Sequence, residues 1–100
     1  MKGNKRRVYL LGQLRIEINQ QPITLRGGKI RALFAYLILH PHRPHNREQL
    51  ADILWPDAPA DRVRRNLSDA LYRLRQTLGD DWFDVDRDRV SLLVDEHLWV

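Results

Sequence analysis

Residues Asp61 to Leu78, DRVRRNLSDALYRLRQTL, constrain the fold more than any other stretch. Apolar side chains recur at Val63, Leu67, Ala70, Leu71, Leu74 and Leu78. Steps of three and four predict an amphipathic helix that lays one stripe against a core. At about 100° per residue, the opposite face carries Arg62, Arg65, Asp69, Tyr72, Arg73 and Gln76, with Arg64 and Arg75 on a flank. The forked guanidinium matches phosphate oxygens and guanine edges. A helix offering this face to solvent is expected to read DNA while the remaining residues hold it in place.

Charge placement agrees with that expectation. The net charge is +4 and the pI about 10, unevenly distributed. Residues 1–31 hold eight bases and the single acid Glu17, whereas residues 80–100 hold seven acids and the two bases Arg87 and Arg89. A basic surface turned away from an acidic end suits a polyanion. The competing reading is a solvated basic surface with no partner. One hundred residues fit one domain with one core. With no cysteine, disulfide scaffolds and thiolate metal sites are excluded, and a reducing compartment is compatible. No apolar run approaches the roughly 20 residues of a membrane span, and Gln13 and Arg15 break the first one too early for a signal peptide. A cytoplasmic protein is expected.

Along the chain, Met1 to Arg7 is expected to be a basic flexible tail. Val8–Leu11 reads as a strand broken by Gly12. Leu14, Ile16 and Ile18 alternate with polar residues as a half-buried strand. Asn19-Gln20-Gln21-Pro22 is turn chemistry, and Ile23–Leu25 should return as a strand. After Gly27-Gly28, a deeply buried helix is expected from Ile30, Leu33, Phe34, Leu37 and Ile38, broadened by Ala32, Ala35 and Leu39 and stopped at Pro41. The connector His40–His45 has room for one extended pair. Asn46 with Gln49 fits a capping box for a short helix striped by Leu50, Ile53 and Leu54 and closed by Trp55-Pro56. Asp57 is a candidate cap for the long helix, Pro59 suits its first turn, and Gly79 stands just past its end. Trp82–Val85 and Arg89–Leu92 read as a hairpin around Asp86-Arg87-Asp88. Leu98-Trp99-Val100 is apolar without a stop signal, as expected of a piece of a longer protein.

A short capped helix, a tight turn and a second amphipathic helix form a helix-turn-helix, and the following hairpin is a wing. The fold class is α+β: a winged helix-turn-helix with a small N-terminal antiparallel sheet, three helices and a C-terminal β-hairpin wing over residues 8–100.

Within that frame, the strings Leu50-Ala51-Asp52-Ile53-Leu54-Trp55-Pro56-Asp57 and Asn66-Leu67-Ser68-Asp69-Ala70-Leu71-Tyr72-Arg73-Leu74-Arg75-Gln76-Thr77-Leu78-Gly79-Asp80 resemble SARP regulators (Streptomyces antibiotic regulatory proteins). Val8–Asn19 and Leu25–Pro41 are similar to that family's leading sheet and first helix. Its DNA-binding domains are OmpR/PhoB-type winged helices. No single triplet is diagnostic; the joint match of order, spacing and strings carries the resemblance. It implies a DNA-binding transcriptional regulator, usually an activator, with the third helix in the major groove of promoter DNA and the wing at the minor groove. It further implies direct repeats bound by head-to-tail copies, a contact with RNA polymerase, and a following activation domain that is absent from these residues.

The candidate DNA-binding residues are then Arg62, Arg64, Arg65, Asp69, Tyr72, Arg73, Gln76, Arg87, Arg89, Arg26, Lys29 and Arg47. Arg62, Arg65 and Asp69 are expected nearest the bases. Asp69 either accepts from a cytosine amino group or orients neighbouring arginines. Tyr72, Arg73 and Gln76 should meet backbone or outer bases, and Asn66 should make a structural hydrogen bond at the helix-turn-helix contact. The competing reading of this face is mutual pairing. Arg65–Asp69 and Asp69–Arg73 are each four apart, a spacing worth about 0.2–0.5 kcal/mol per pair, which leaves Arg62 and Arg64 unexplained. Arg87 and Arg89 lie among Asp84, Asp86 and Asp88, which weakens a phosphate clamp but still allows a guanidinium into a narrow minor groove. Arg26, Lys29 and Arg47 stand at element starts, where phosphates are favoured; the competing reading is plain solubility.

Two metal patterns fail on chemistry. Asp84, Asp86, Asp88 and Asp95 have calcium-loop spacing, but Arg89 stands where that loop needs glycine and the bidentate glutamate is missing. His40, His42 and His45 lie in a proline-rich connector without a fourth ligand. No catalytic residue, metal or cofactor is expected, since no phosphate loop, nucleophile elbow or acid/base pair appears. Trp55 and Trp82 are expected as core anchors. The alternative to a DNA reader is a protein–protein interaction module on the same scaffold, which would not require an unpaired Arg62–Arg64–Arg65 cluster.

Overall fold

The computed structural model describes residues 6–9, 14–93 and the backbone of 98–99. Strands β1 (Arg6–Tyr9), β2 (Arg15–Ile18) and β3 (Gln21–Ile23) form an antiparallel meander. Helix α1 (Gly28–Leu39) leads through a two-residue strand β4 (His45–Asn46) to α2 (Arg47–Leu54) and α3 (Ala60–Leu78). A single 3-10 turn at Asp80–Trp82 precedes the hairpin β5 (Phe83–Val85) and β6 (Arg89–Leu92), and β7 (Leu98–Trp99) follows. This is the expected α+β winged helix.

The N-terminal sheet differs from expectation in three respects. β1 begins at Arg6, inside the expected tail. Val8 is fully buried, and the Arg6 side chain is only 5% exposed, lying over the Trp82 ring at 4.6 Å. Its cation and aliphatic stem therefore cover an aromatic face. The turn is shorter than expected: of its four expected residues, Asn19 and Gln20 take left-handed φ values of 52° and 69°, the pattern of a two-residue type I′ hairpin. Pro22 consequently falls inside β3 and Thr24-Leu25 outside it, although Leu25 is still buried. Pro22 is tolerated because β3 is an edge strand of the order β3-β2-β1-β7. Finally, β7 pairs parallel to β1, so the sheet is mixed. The expected strand residues Leu10 and Leu11 and the break at Gly12 lie outside the described residues.

The core forms where the apolar stripes converge. Leu33, Phe34, Leu37 and Leu74 are fully buried, and Trp82, 1% exposed, meets Phe34 edge-on at 5.7 Å. Trp82 is thus the expected anchor, while Trp55 is half-buried at the core margin. The stripe of α1 is narrower than expected: Ala32 is exposed, Ala35 half-buried and Leu39 62% exposed. In α2, Ala51 is buried and Ile53 is 54% exposed, so the stripe runs Leu50, Ala51, Leu54. In so short a helix, a modest rotation about the axis decides whether Ala51 or Ile53, on opposite flanks of the Leu50–Leu54 line, faces inward.

The helix ends follow local chemistry. The Asn46 side chain accepts from the Gln49 amide at 3.0 Å, the cap the sequence predicts. Asp57 does not cap α3; Pro59 holds that position, without a side-chain cap. Gly79 ends α3 with φ 102° and ψ 154°, a conformation essentially reserved for glycine. In the other sheet, of order β4-β6-β5, the extended pair β4 runs one residue past the connector His40–His45 in which it is expected, and it joins the wing stem to the start of α2 through Asn46↔Arg89.

Candidate nucleic-acid interface

Helix α3 presents its two faces as the periodicity requires. Val63, Leu67, Ala70, Leu71, Leu74 and Leu78 are all buried, while Arg62, Arg65, Asp69, Tyr72, Arg73 and Gln76 are exposed. Tyr72 is 64% exposed. Among the described residues, the side chains of Arg62 and Arg65 make no hydrogen bond or ion pair, so both guanidinium groups are available to a ligand.

Among the described residues, three grooves flank this face. The first, of about 790 Å³, lies between the start of α2, the first half of α3 and the wing. It collects Arg47, Arg64 and Arg87 together with Glu48, Asp52 and Asp88. The second, about 340 Å³, brings Lys29 and Trp55 to Asn66, Asp69 and Arg73. The third, about 370 Å³, brings Arg26 and Thr24 to Tyr72, Arg73, Gln76 and Thr77, with no acid in its lining. Arg26, Lys29 and Arg47, remote from α3 in sequence, thus border the α3 surface in space.

Several expected roles change. Asp69 pairs with neither Arg65 nor Arg73 among the described residues. The partners of α3 arginines come from other elements: Arg64 Nη2 lies 3.5 Å from Glu48 Oε1, and Arg75 Nε donates to Asp80 at 3.0 Å. The expected unpaired cluster therefore shrinks to Arg62 and Arg65. Asn66 is half-buried and makes no side-chain hydrogen bond among the described residues, contrary to the structural bond expected of it. It lines the second groove instead, with its amide available.

Two cations at element starts hold protein groups. Lys29 Nζ donates to the carbonyl of Leu54, the last residue of α2, and so covers an acceptor left open at the helix end. Arg47 donates to the Asp86 carbonyl at 2.9 Å and to the Ser68 hydroxyl at 3.1 Å. Ser68 carries no charge or periodic signal, so nothing in the sequence marks its part in this network.

The wing turn is ordered by its own acid. Asp86 Oδ1 accepts from the amides of Asp88 and Arg89, both at 2.8 Å. These two bonds hold its carboxyl below the ordinary value of 3.8 against an opposing effect of desolvation, with lesser help from the charges of Arg89 and Arg47. The side chains of Arg87 and Arg89 are exposed on this turn and on β6.

A helix-turn-helix with a cationic outer face, flanked by a wing, is the architecture of a DNA-binding domain. Residues 20–90 match the family model described as "Transcriptional regulatory protein, C terminal", and the chain belongs to this family of OmpR/PhoB-type DNA-binding domains. The family comprises transcriptional regulators, a non-enzymatic class. Over 75 residues, three quarters of its length, the chain is 31% identical to the transcriptional regulatory protein EmbR of Mycobacterium tuberculosis and of Mycobacterium bovis. It spans about a fifth (19%) of those relatives' length. The solved structure of Mycobacterium tuberculosis EmbR in complex with a low-affinity phosphopeptide superposes with a TM-score of 0.81. That match covers 95% of this chain and 27% of the other at 22% identity. It establishes the shared winged-helix fold, and because EmbR is a SARP-family regulator, the SARP resemblance is upheld.

Proposed function

We propose that this domain reads promoter DNA by placing α3 in the major groove and the wing at an adjacent minor groove, in the service of transcription activation. The observation that carries this reading is the pair Arg62 and Arg65, exposed on α3 without a protein partner among the described residues. Leaving two guanidinium groups on the outer face of a well-packed helix suits a polyanion more than a neutral protein surface. Arg62, Arg65 and Asp69 would face base edges, with Asp69 accepting from a cytosine amino group. Asn66 joins them as a candidate adenine reader, since its amide has the donor and acceptor that adenine requires. The acid-free groove of Arg26, Tyr72, Arg73 and Gln76 suits the phosphate backbone of the same site.

The resemblance to SARP regulators supports extending the proposal to direct repeats bound by head-to-tail copies, to a contact with RNA polymerase and to a cytoplasmic setting. Random-sequence selection with a mobility-shift readout tests the core of it. The expected result is an enriched site whose spacing and repeat orientation appear together. If no duplex binds better than bulk DNA at low salt, the proposal fails, and the protein-interaction alternative takes its place.

Within that reading, Arg65→Ala should cost about 1–3 kcal/mol and relax preference at one or two base pairs. An equal loss on every sequence would assign Arg65 to the backbone instead.

A further inference from the structure

We infer that Arg47 is the positioning residue that fixes the wing tip against α3, and that it is not itself a phosphate contact. The inference rests on the DNA-reading proposal for its consequence but not for its geometry. The stem of the wing is already tied down, because β4 pairs with β6. The tip is a separate matter, since residues 86–88 lie outside the ladder. Arg47 holds it with two bonds and ties it to α3 with a third. Its amide donates to the Asp88 carbonyl at 2.9 Å, Nη1 to the Asp86 carbonyl at 2.9 Å, and Nη2 to the Ser68 hydroxyl on α3 at 3.1 Å.

Both side-chain bonds come from one planar guanidinium, so the carbonyl on the wing and the hydroxyl on α3 are held at a fixed separation. A lysine ammonium is a single rotatable point of donation without that rigid fork, so it does not fix the separation of the two acceptors. Arg87 stands between the two residues whose carbonyls Arg47 holds, and it lines the same groove. The distance from the major-groove helix to the wing cation is therefore set by a residue on a third element. With two of its nitrogens committed to protein acceptors, Arg47 is poorly placed to serve a phosphate.

The test is a double-mutant cycle of Arg47→Ala and Arg87→Ala in the whole chain, with Arg47→Lys alongside. DNA affinity is measured on the selected duplex at several salt concentrations. Amide exchange of Asp88 and Arg89 is measured without DNA. Arg87→Ala alone should weaken binding severalfold and lower the salt slope by about one. In the Arg47→Ala background it should have no further effect, because the wing cation is no longer held in place. Exchange at Asp88 and Arg89 should accelerate at least about tenfold in both Arg47 variants. Additive losses, a silent Arg87→Ala, unchanged exchange or full function in Arg47→Lys would each overturn the inference. If the unaltered chain selects no duplex, the parent proposal has failed, and the exchange measurement alone decides whether Arg47 holds the wing.

Discussion

Arg64 of α3 and Glu48 of α2 stand 3.5 Å apart across the helix-turn-helix, with side chains 75% and 74% exposed. The pair is open to water and salt, so the tie is weak, of the order of 0.2–1 kcal/mol. It nevertheless sets an acid beside a cation on the surface proposed to face DNA. Glu48→Gln is expected to tighten DNA binding by up to about fivefold at low salt, with the gain fading as salt rises. A mobility-shift titration at two ionic strengths measures this, and weaker binding by the variant would show that Glu48 aids the interface.

Asp86 makes the wing sensitive to acid. Its carboxyl is held below the ordinary value in the folded turn. Its contribution is therefore complete above the ordinary value of 3.8 and is lost as pH falls through the lower folded value. The Asp88 and Arg89 amide resonances should shift together below that pH and stay constant at neutral pH. Asp86→Asn should keep the turn, since an amide oxygen still accepts, and abolish the pH response. A response that survives in the Asn variant would implicate another group.

Gly79 admits no side chain without strain. A Cβ there would lie 3.1 Å from Asp81 Oδ1, on a backbone with φ 102°. Gly79→Ala should cost about 1–3 kcal/mol, which in a domain of this size lowers Tm by about 4–8 °C per kcal/mol. A melt within a degree of the parent would mean that the end of α3 rearranges freely.

Asn46 should contribute about 0.5–2 kcal/mol as the cap of α2, most of it recovered by glycine. Chemical denaturation of Asn46→Ala and Asn46→Gly reads this directly. Equal losses in the two variants would point to the β4 pairing of Asn46 with Arg89 as the larger contribution.

What the sequence conveyed follows from the range of each interaction. Helix α3, its six buried residues and its glycine stop were legible because period and capping act within a few positions. The pairing of its charges differs from the local pattern for the same reason. Local spacing suggests Asp69 as the partner of Arg65 and Arg73, whereas Glu48, the partner of Arg64, is brought in by tertiary folding, as is the Asp86 carbonyl that Arg47 holds from 39 positions away. Ile53 and Leu39 were misplaced because hydrophobicity says nothing of where a short helix stops turning toward the core. β7 was missed because two residues carry no alternation.

Pro22 has a consequence beyond its own strand. In the two-residue hairpin, Ile18↔Gln21 is the closing pair, so Glu17↔Pro22 is the next, non-bonded pair. The nitrogen of Pro22 therefore points away from β2, toward the outer edge, and offers no proton there. At the other margin, β7 is only two residues long. Neither margin is a good template for an incoming strand. If, as proposed, neighbouring half-sites bring two copies shoulder to shoulder, the described edges favour a meeting through side chains over the growth of one continuous sheet.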